Sequence, residues 1–263
     1  MQKICLIIPC YNEEKRLRKK SEKEFSDFLL MHNNVYLCFV NDGSADGTCN
    51  ILNSFKKNEP KRVIILSLEK NSGKAEAVRQ GVKHVSGLRR FDFIGYWDAD
   101  LATPLRELAH ILAAFERNPG CQFAMGSRIK RLGSTIERKV IRHITGRIFA
   151  TFSSLILKLP VYDSQCGAKV FRSEVADMLF SDPFIAQWLF DVEVIARLRN
   201  RLGRNVVLGA TVEIPLNSWI DVAGSKLRMK HLIRVSFDLL KINLHYNRHY
   251  LVQDQGVVKE VHP

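Results

Sequence analysis

The sequence predicts an α/β protein whose mainly parallel, Rossmann-like sheet is flanked by helices. Short apolar runs alternate with segments of helical periodicity, so that the order strand, turn, helix occurs four times in succession. Such alternation is typical of parallel strands joined by right-handed crossovers. Each of these apolar runs also ends in a polar turn, and the fourth leads directly into Asp98 and Asp100. With 263 residues, 46% of them hydrophobic, the chain is long enough for one large domain, or one domain with an appendage, and for a substantial core.

The predicted strands are apolar runs bounded by turn-forming residues. They cover residues 4–8, 35–40, 63–68, 93–97, 123–126, 168–171 and 206–214. Apolar side chains at helical spacing predict helices at 21–31, after Asp46-Gly47, after Lys74, at 148–159 and from about residue 188 to 198. A further helix is predicted to begin at Thr103-Pro104, because threonine is a good N-cap and proline suits the first turn.

Polar turns follow the first four predicted strands, at residues 11–13, 41–44, 71–74 and 98–100. Because the carboxyl ends of parallel strands share one edge, we expect these turns to form one ligand-binding cleft. Asp98 and Asp100 are two residues apart, so in extended backbone they face the same way. Two such carboxylates favour a hard cation, Mg²⁺ or Mn²⁺, held together with substrate phosphates. The alternative is a solvated turn in which Thr103 caps the next helix.

Composition restricts the class of protein and its partners. The net charge of +13 favours an anionic partner such as a phosphorylated substrate, nucleic acid or an anionic lipid surface. Aromatic and basic residues are not interleaved as in proteins that stack bases, so we expect no nucleic-acid partner. The six cysteines form no C-x-x-C pair, which suits core thiols in a reducing compartment. We expect neither a signal peptide nor a membrane-spanning helix.

The part of the chain after Gly126 is more basic. Residues 127–147 carry seven Lys and Arg against one acid, Glu137, and form either a solvated helix face or a phosphate-binding segment. A basic amphipathic helix is predicted at 226–250, after a main domain at 1–225 and before a tail at 251–263. This helix would lie on an anionic membrane, or pack on its own domain or on a second subunit of a homodimer.

Five short segments, in this order, resemble the family 2 glycosyltransferases of GT-A fold. They are Ile8-Pro9-Cys10-Tyr11-Asn12-Glu13, Val40-Asn41-Asp42-Gly43-Ser44, Asn71-Ser72-Gly73-Lys74, Asp98-Ala99-Asp100 and Gly126-Ser127-Arg128. Narrower markers resemble the polyprenyl-phosphate sugar synthases, which include dolichyl-phosphate β-glucosyltransferases and dolichyl-phosphate mannose synthases. They are Asp98 to Pro104, Asp163-Ser164-Gln165-Cys166-Gly167, Phe190-Asp191-Val192-Glu193, and Trp219 followed by Gly224-Ser225-Lys226.

The resemblance, which covers roughly residues 3 to 230, implies roles for particular residues. Asp98 and Asp100 would bind the metal, and Asp100, Asp191 and Arg128 would be catalytic. The nucleotide sugar would contact Pro9, Tyr11, Glu13, Asp42, Lys74 and Asp98. The acceptor phosphate would be bound by Arg128, Arg131 and Arg142, because arginine offers paired donors. The sequence departs from the family pattern at Asn41, Ala75 and Ala102, and Ala102 favours glucose over mannose transfer.

These implications define a hypothesis and two alternatives. The hypothesis is a metal-dependent, inverting transfer of a hexose, with glucose from UDP-glucose favoured over mannose from GDP-mannose, to a polyprenyl phosphate. It places the protein in the cytoplasm, peripheral on the cytosolic face of a membrane. If the acceptor were a sugar hydroxyl, a general base would be needed, and Asp191 is the candidate. A non-catalytic nucleotide-sugar-binding protein is the second alternative.

Overall fold

The structure is a computed structural model that describes residues 2–18, 22–137, 140–221 and 235–247. The side chains of residues 22 and 140–143 lie outside the described set. The strands are β1 (Ile4–Cys10), β2 (Val35–Asp42), β3 (Val63–Leu68), β4 (Phe93–Trp97), β5 (Phe123–Ser127), β6 (Thr135–Glu137), β7 (Ala168–Arg172), β8 (Thr211–Pro215) and β9 (Ser218–Ile220). The helices are α1 (Glu14–Arg16), α2 (Glu22–Met31), α3 (Thr48–Asn58), α4 (Lys74–Gly87), α5 (Glu107–Arg117), α6 (Val140–Leu157), α7 (Ser173–Phe180), α8 (Phe190–Leu202), α9 (Arg204–Ala210) and α10 (235–247).

The main sheet confirms the predicted α/β class and its mainly parallel pairing. Its seven strands have the order β3-β2-β1-β4-β7-β5-β8. The pairs β1 with β2, β1 with β4, β2 with β3, and β5 with β8 are parallel. Only β7 runs the other way, antiparallel to both β4 and β5. Strands β6 and β9 form a separate two-stranded parallel sheet.

Two apolar clusters cover the two faces of the sheet. Successive residues of a strand point to opposite faces, so Ile7 joins one cluster while Leu6 and Ile8 join the other. Helices α4, α7 and α8 contribute to the first cluster, and α2, α3 and α5 to the second. Helix α4 approaches the sheet closely, because a Cβ atom at Gly81 would lie 2.8 Å from Cγ2 of Val40. The sheet is therefore covered on both sides, as parallel sheets require.

Three predicted elements differ from the structure. Residues 206–210 of the predicted strand at 206–214 belong to helix α9, because β8 pairs with the five residues of β5 and only begins at Thr211. Helix α5 begins at Glu107, with no side-chain cap, so the prediction that Thr103 and Pro104 start it was wrong. Helix α6 begins at Val140, which brings part of the basic segment into the helix predicted at 148–159.

Helix α10 packs on its own domain and also keeps an exposed apolar side. Leu239, Ile242 and Tyr246 are buried in the cluster that covers α8, whereas Phe237, Leu240 and Leu244 are exposed. Residues 222–234 and 248–263 lie outside the described residues, so the boundaries predicted at 225 and 250 remain predictions. Among the described residues, no helix is both long and apolar enough to cross a membrane.

Candidate active site

The turns after β1 and β2 are joined by side chains of the predicted motifs. The amide of Asn12 donates to Oγ of Ser44, and Oδ1 of Asn12 accepts from the amide of Ala45. Ser44 in turn donates its amide to Oδ1 of Asn41. Asn12 has a φ of 53°, a left-handed conformation that asparagine tolerates better than most residues. Pro9 lies near the end of β1, and the half-exposed Tyr11 and Glu13 lie in the turn after it, at this joined edge.

Asp42 organises the turn that leads into α4. Its two carboxylate oxygens accept hydrogen bonds from the amides of Ser72 and Gly73, at 2.7 and 2.9 Å. Gly73 has a φ of 89°, which glycine adopts at no steric cost. Asp42 itself is only 2% exposed. In this structure, therefore, Asp42 fixes the loop that positions Lys74, and base recognition by Asp42 remains a prediction.

Asp98 and Asp100 lie in a tight turn directly after β4. The amide of Leu101 donates to the carbonyl of Asp98, and Oδ1 of Asp100 accepts from the amide of Ala102. Leu101 has a φ of 50°, an unusual conformation for leucine that costs about 1–3 kcal/mol. Nε1 of Trp97 holds the far end of the turn through the carbonyl of Thr103. Backbone strain of this kind is concentrated at functional sites.

The electrostatics of the two aspartates favour a cation between or beside them. Burial, followed by the negative charge of Asp98, raises the pKa of Asp100 above its usual value. Lys74 already lies against this pair, with its Nζ 2.5 Å from Oδ1 of Asp98. Carboxylate oxygens are also the ligands that Mg²⁺ and Mn²⁺ prefer. Among the described residues, no group of three or more His, Cys, Asp or Glu side chains could hold a metal ion, so Asp98 and Asp100 would need further ligands, such as substrate oxygens.

Gly167 leaves the space that the Asp98 carboxylate occupies. A Cβ atom at this position would overlap the carboxylate oxygens of Asp98. The carbonyl of Gly167 also accepts the amide of Asp98, at 3.1 Å. Gly167 belongs to the Asp-Ser-Gln-Cys-Gly segment at 163–167, hereafter the bridging loop. Because Gly167 has no side chain, the carboxylate of Asp98, the first candidate metal ligand, can occupy this position.

The other end of the bridging loop holds Arg128. Nε and Nη2 of Arg128 each lie 2.7 Å from a different oxygen of Asp163, which is a bidentate pair. The guanidinium also lies over the ring of Trp219, at 5.4 Å. The Arg128 side chain is only 15% exposed, so it is no solvated surface cation. One loop thus fixes Asp98 at one end and Arg128 at the other.

Asp191 is part of a buried ion pair. Its Oδ1 accepts from Nζ of Lys169 at 2.6 Å and from the hydroxyl of Tyr96 at 2.5 Å. Lys169 is fully buried and donates a second bond to the carbonyl of Cys166. Burial, followed by the charge of Asp191, raises the pKa of Tyr96 well above its usual value, so Tyr96 remains a donor. Asp191 lies inside α8, one residue past its start, and its side chain caps no helix.

The remaining predicted site residues make other contacts. Arg131 is exposed, and its Nη2 donates to Oδ1 of Asn217 at 2.7 Å. Glu13 forms an ion pair with Arg16 at 2.8 Å, while burial raises the pKa of Glu13 above its usual value. Arg142 belongs to α6, and its side chain lies outside the described residues.

Sequence reasoning missed several residues that hold the site together. Lys169 was placed in a strand without a role, although a lysine inside the apolar run Ala-Lys-Val-Phe is a detectable signal of a buried ion pair. Asp163 and Gly167 enter the sequence analysis only as parts of one motif. Nothing local reveals these two roles, because both depend on residues at least 35 positions away.

The fold and this site define a glycosyltransferase. The model of the family described as glycosyl transferase family 2 matches residues 5–180, and the chain belongs to that family. This confirms the resemblance that the turn motifs indicated. The matched region includes both aspartates, Arg128 and the whole bridging loop, but ends before Asp191.

Several curated relatives are dolichyl-phosphate beta-glucosyltransferases. The chain is 29% identical to such a protein of Trichomonas vaginalis, over 92% of this chain and 73% of that protein. It is 30% identical to the Drosophila melanogaster protein, over 85% of this chain and 69% of the relative. The human protein is 27% identical over 93% of this chain and 76% of its own length.

Solved structures with the same fold include two sugar-phosphoglycerate synthases. The Mycobacterium tuberculosis glucosyl-3-phosphoglycerate synthase, solved with Mn²⁺, uridine diphosphate and glucosyl-3-phosphoglycerate, has a TM-score of 0.64 and 19% identity, covering 92% of this chain and 79% of that one. The mannosyl-3-phosphoglycerate synthase of Rubrobacter xylanophilus has a TM-score of 0.67 and 16% identity, covering 100% and 77%. These similarities confirm the GT-A-like fold.

Replacing Gly167 by alanine tests the position of Asp98. The added methyl would displace the Asp98 carboxylate, and a shift of about 1 Å at a reacting centre costs on the order of a hundredfold in rate. We expect kcat/KM for the nucleotide sugar to fall by about that factor. Gly209→Ala is the matched control, because a Cβ atom there has no neighbour within 4 Å. Equal activity of the two variants would contradict this role of Gly167.

A double-mutant cycle tests the buried pair of Lys169 and Asp191. Either Lys169→Met or Asp191→Leu leaves one buried charge without its partner, so each should lower the free energy of unfolding by about 3–5 kcal/mol. The double variant should recover most of this loss, because neither charge remains. Denaturant unfolding measures all four proteins. Additive losses would show that the two side chains do not depend on each other.

Proposed function

We propose that the protein transfers glucose from UDP-glucose to the phosphate of a polyprenyl phosphate, with inversion at the anomeric carbon. The observation that carries the proposal is the bridging loop, which positions an acidic donor side at Asp98 and a cationic acceptor side at Arg128. The names of the curated relatives, dolichyl-phosphate beta-glucosyltransferases, support this pairing of donor and acceptor.

The donor side would bind the nucleotide diphosphate. Asp98 and Asp100 would hold Mg²⁺ or Mn²⁺, which offsets negative charge on the departing diphosphate. The structures solved with uridine diphosphate and Mn²⁺ or Mg²⁺ support this choice of ligands. Lys74 lies beside Asp98 and would add a cation near the same phosphates. Pro9, Tyr11, Glu13 and Asp42 would contact the base and ribose from the neighbouring turns.

The acceptor side favours a phosphate over a sugar hydroxyl. A phosphate monoester has a second pKa of about 6, so it is largely ionised near neutral pH and needs no strong general base. An acceptor oxygen would attack C1 as the bond from C1 to the diphosphate breaks, which produces a glucosyl phosphodiester and the nucleoside diphosphate. Arg128, with Arg131 and Arg142, would hold the acceptor in line for this displacement. Asp191 is already bonded to Lys169 and Tyr96, which weakens its candidacy as a base.

Helices α6 and α10 support a peripheral position on a membrane. Their exposed apolar side chains lie at helical spacing, four on α6 and three on α10: Ile144, Ile148, Phe152, Leu155, Phe237, Leu240 and Leu244. The net charge of +13 would add attraction to an anionic leaflet. The lipid acceptor would lie in the same membrane, so attachment to the membrane would also bring the protein to its acceptor.

Transfer assays with isolated donors and acceptors test the proposed reaction. We expect glucose transfer from UDP-glucose, and less from GDP-mannose, to a short polyprenyl phosphate in the presence of Mg²⁺ or Mn²⁺. Asp100→Asn should reduce the rate by at least about a hundredfold, since it weakens the stabilisation of the leaving group. Asp177→Asn, at an exposed aspartate on α7, is the matched control. Arg128→Lys should raise KM for the acceptor, because lysine lacks the planar fork that bonds Asp163 through Nε and Nη2 and leaves Nη1 for a phosphate.

Two outcomes of the same assay would contradict the proposal. Transfer to sugar hydroxyls but not to lipid phosphate, abolished in a stably folded Asp191→Asn variant, would favour the hydroxyl acceptor. Donor binding without transfer to any acceptor would favour a non-catalytic nucleotide-sugar-binding protein.

Vesicle sedimentation tests the membrane position. We expect the protein to pellet with vesicles that contain phosphatidylserine and to stay in the supernatant with neutral phosphatidylcholine vesicles. Ile148→Ser with Phe152→Ser should weaken binding by about tenfold or more, because two large apolar side chains no longer enter the interface. The control is Leu30→Ser, at an exposed leucine on α2. Equal loss in the control would contradict a membrane face on α6.

A further inference from the structure

A groove lies between α6 and the segment that enters the bridging loop. It has a volume of about 280 Å³ and is lined by side chains that include Arg147, Thr151, Leu155, Pro160, Val161 and Tyr162. This volume is close to the lower end of ligand pockets, roughly 300–1,000 Å³. The groove is separate from the cleft at the ends of β1, β2 and β4, where the donor is proposed to bind.

The walls of the groove suit a hydrocarbon chain. Leu155, Pro160 and Val161 are apolar, and Leu155 is 68% exposed, so a covering chain would remove much apolar surface from water. Two of the three hydroxyls of the lining, those of Thr151 and Ser154, are already bonded within the protein. Oγ1 of Thr151 donates to the carbonyl of Arg147, and Oγ of Ser154 donates to the carbonyl of Leu159. An apolar ligand would therefore leave neither of these two hydroxyls without a partner.

One end of the groove is cationic and adjoins the acceptor side of the active site. The guanidinium of Arg147 lies over the ring of Tyr162 at 3.6 Å, and its Nη1 donates to the Tyr162 carbonyl at 3.0 Å. Tyr162 is followed directly by Asp163, the bidentate partner of Arg128, and consecutive Cα atoms are about 3.8 Å apart. Glu213 fixes this connection, because its oxygens accept the amides of both Tyr162 and Asp163 at 2.7 Å.

From these observations we infer that the groove binds the first isoprene units of the acceptor, with Arg147 near its phosphate. The inference rests on the proposed lipid-phosphate acceptor and adds where its chain lies. A polyprenyl phosphate has an anionic head and an apolar branched chain. The head would lie near Arg128 and Arg147, and the chain would lie along the apolar wall. Leu155 also belongs to the exposed apolar row of α6, so the rest of the chain would pass from the groove onto the helix face that meets the membrane.

Chain-length dependence of binding tests the groove. Dimethylallyl phosphate and farnesyl phosphate share the head group and differ by two isoprene units, and their binding is measured by calorimetry with UDP and Mg²⁺ below micelle-forming concentrations. We expect the native protein to bind farnesyl phosphate at least tenfold more tightly. Thr151→Trp fills the groove from an exposed position, so it should reduce this ratio to below about threefold and leave dimethylallyl phosphate binding within about threefold of the native value.

Matched variants separate occupation of the groove from other effects. Thr151→Val keeps the side-chain volume and should keep the native ratio. Ile185→Trp places the same large side chain beside a second cavity of about 300 Å³, near α8 and α10, and should also keep the ratio. If Thr151→Trp fails to fold, Leu155→Asp places a charge in the groove at an exposed position and should lower farnesyl phosphate binding by at least tenfold.

The outcomes distinguish the groove from the proposed reaction. Equal binding of the two phosphates by the native protein, or an unchanged ratio in Thr151→Trp, would overturn the groove even where glucose transfer is observed. A chain-length ratio that is lost in Thr151→Trp, in a protein that transfers no glucose, would support the groove and overturn the proposed transfer.

Discussion

The buried ion pair between Lys169 and Asp191 is the interaction on which the site depends. It joins β7 to α8, and through the hydroxyl of Tyr96 it also involves β4, the strand that ends at Asp98. The same ammonium donates to the carbonyl of Cys166, inside the bridging loop. A fully buried ammonium is tolerated only where its charge is compensated and its protons are donated. The position of the loop therefore follows from the requirement to satisfy one buried lysine.

The antiparallel strand β7 explains how one loop can serve both sides of the site. Because β7 runs against β4 and β5, its first residues lie beside the carboxyl ends of both neighbours. The residues that precede β7 are therefore delivered to the edge where Asp98 and Arg128 follow their own strands. A parallel strand at this place would end there and begin at the opposite edge. Because β7 is reversed, the bridging loop that precedes it lies at the same edge as the turns that follow β4 and β5.

Much of this arrangement could be predicted from the sequence, since it depends on local pattern. The alternation of apolar runs and helices predicted the strands, and the polar turns after them predicted the shared edge. The direction of β7 could not be predicted, because an apolar run of five residues has the same pattern in either direction. The bond between Arg128 and Asp163 was missed for a similar reason, as it joins residues 35 positions apart. The strand predicted at 206–214 was wrong at its start because the register with β5, and not the run of valines, decides where β8 begins.

Arg128 and the turn at Asp98 are both held rigidly, which affects how the site could bind an amphiphilic acceptor. Arg128 is held by both oxygens of Asp163 and by the ring of Trp219, so little side-chain entropy would be lost if it bound the proposed acceptor phosphate. The Asp98 turn is equally fixed, by Gly167 and by the strained Leu101. A lipid, by contrast, arrives with a flexible chain and an anchored far end. An enzyme with a fixed phosphate position needs a separate contact to bring the chain into line, and the groove beside Tyr162 lies where such a contact would act, next to the residue that holds Arg128.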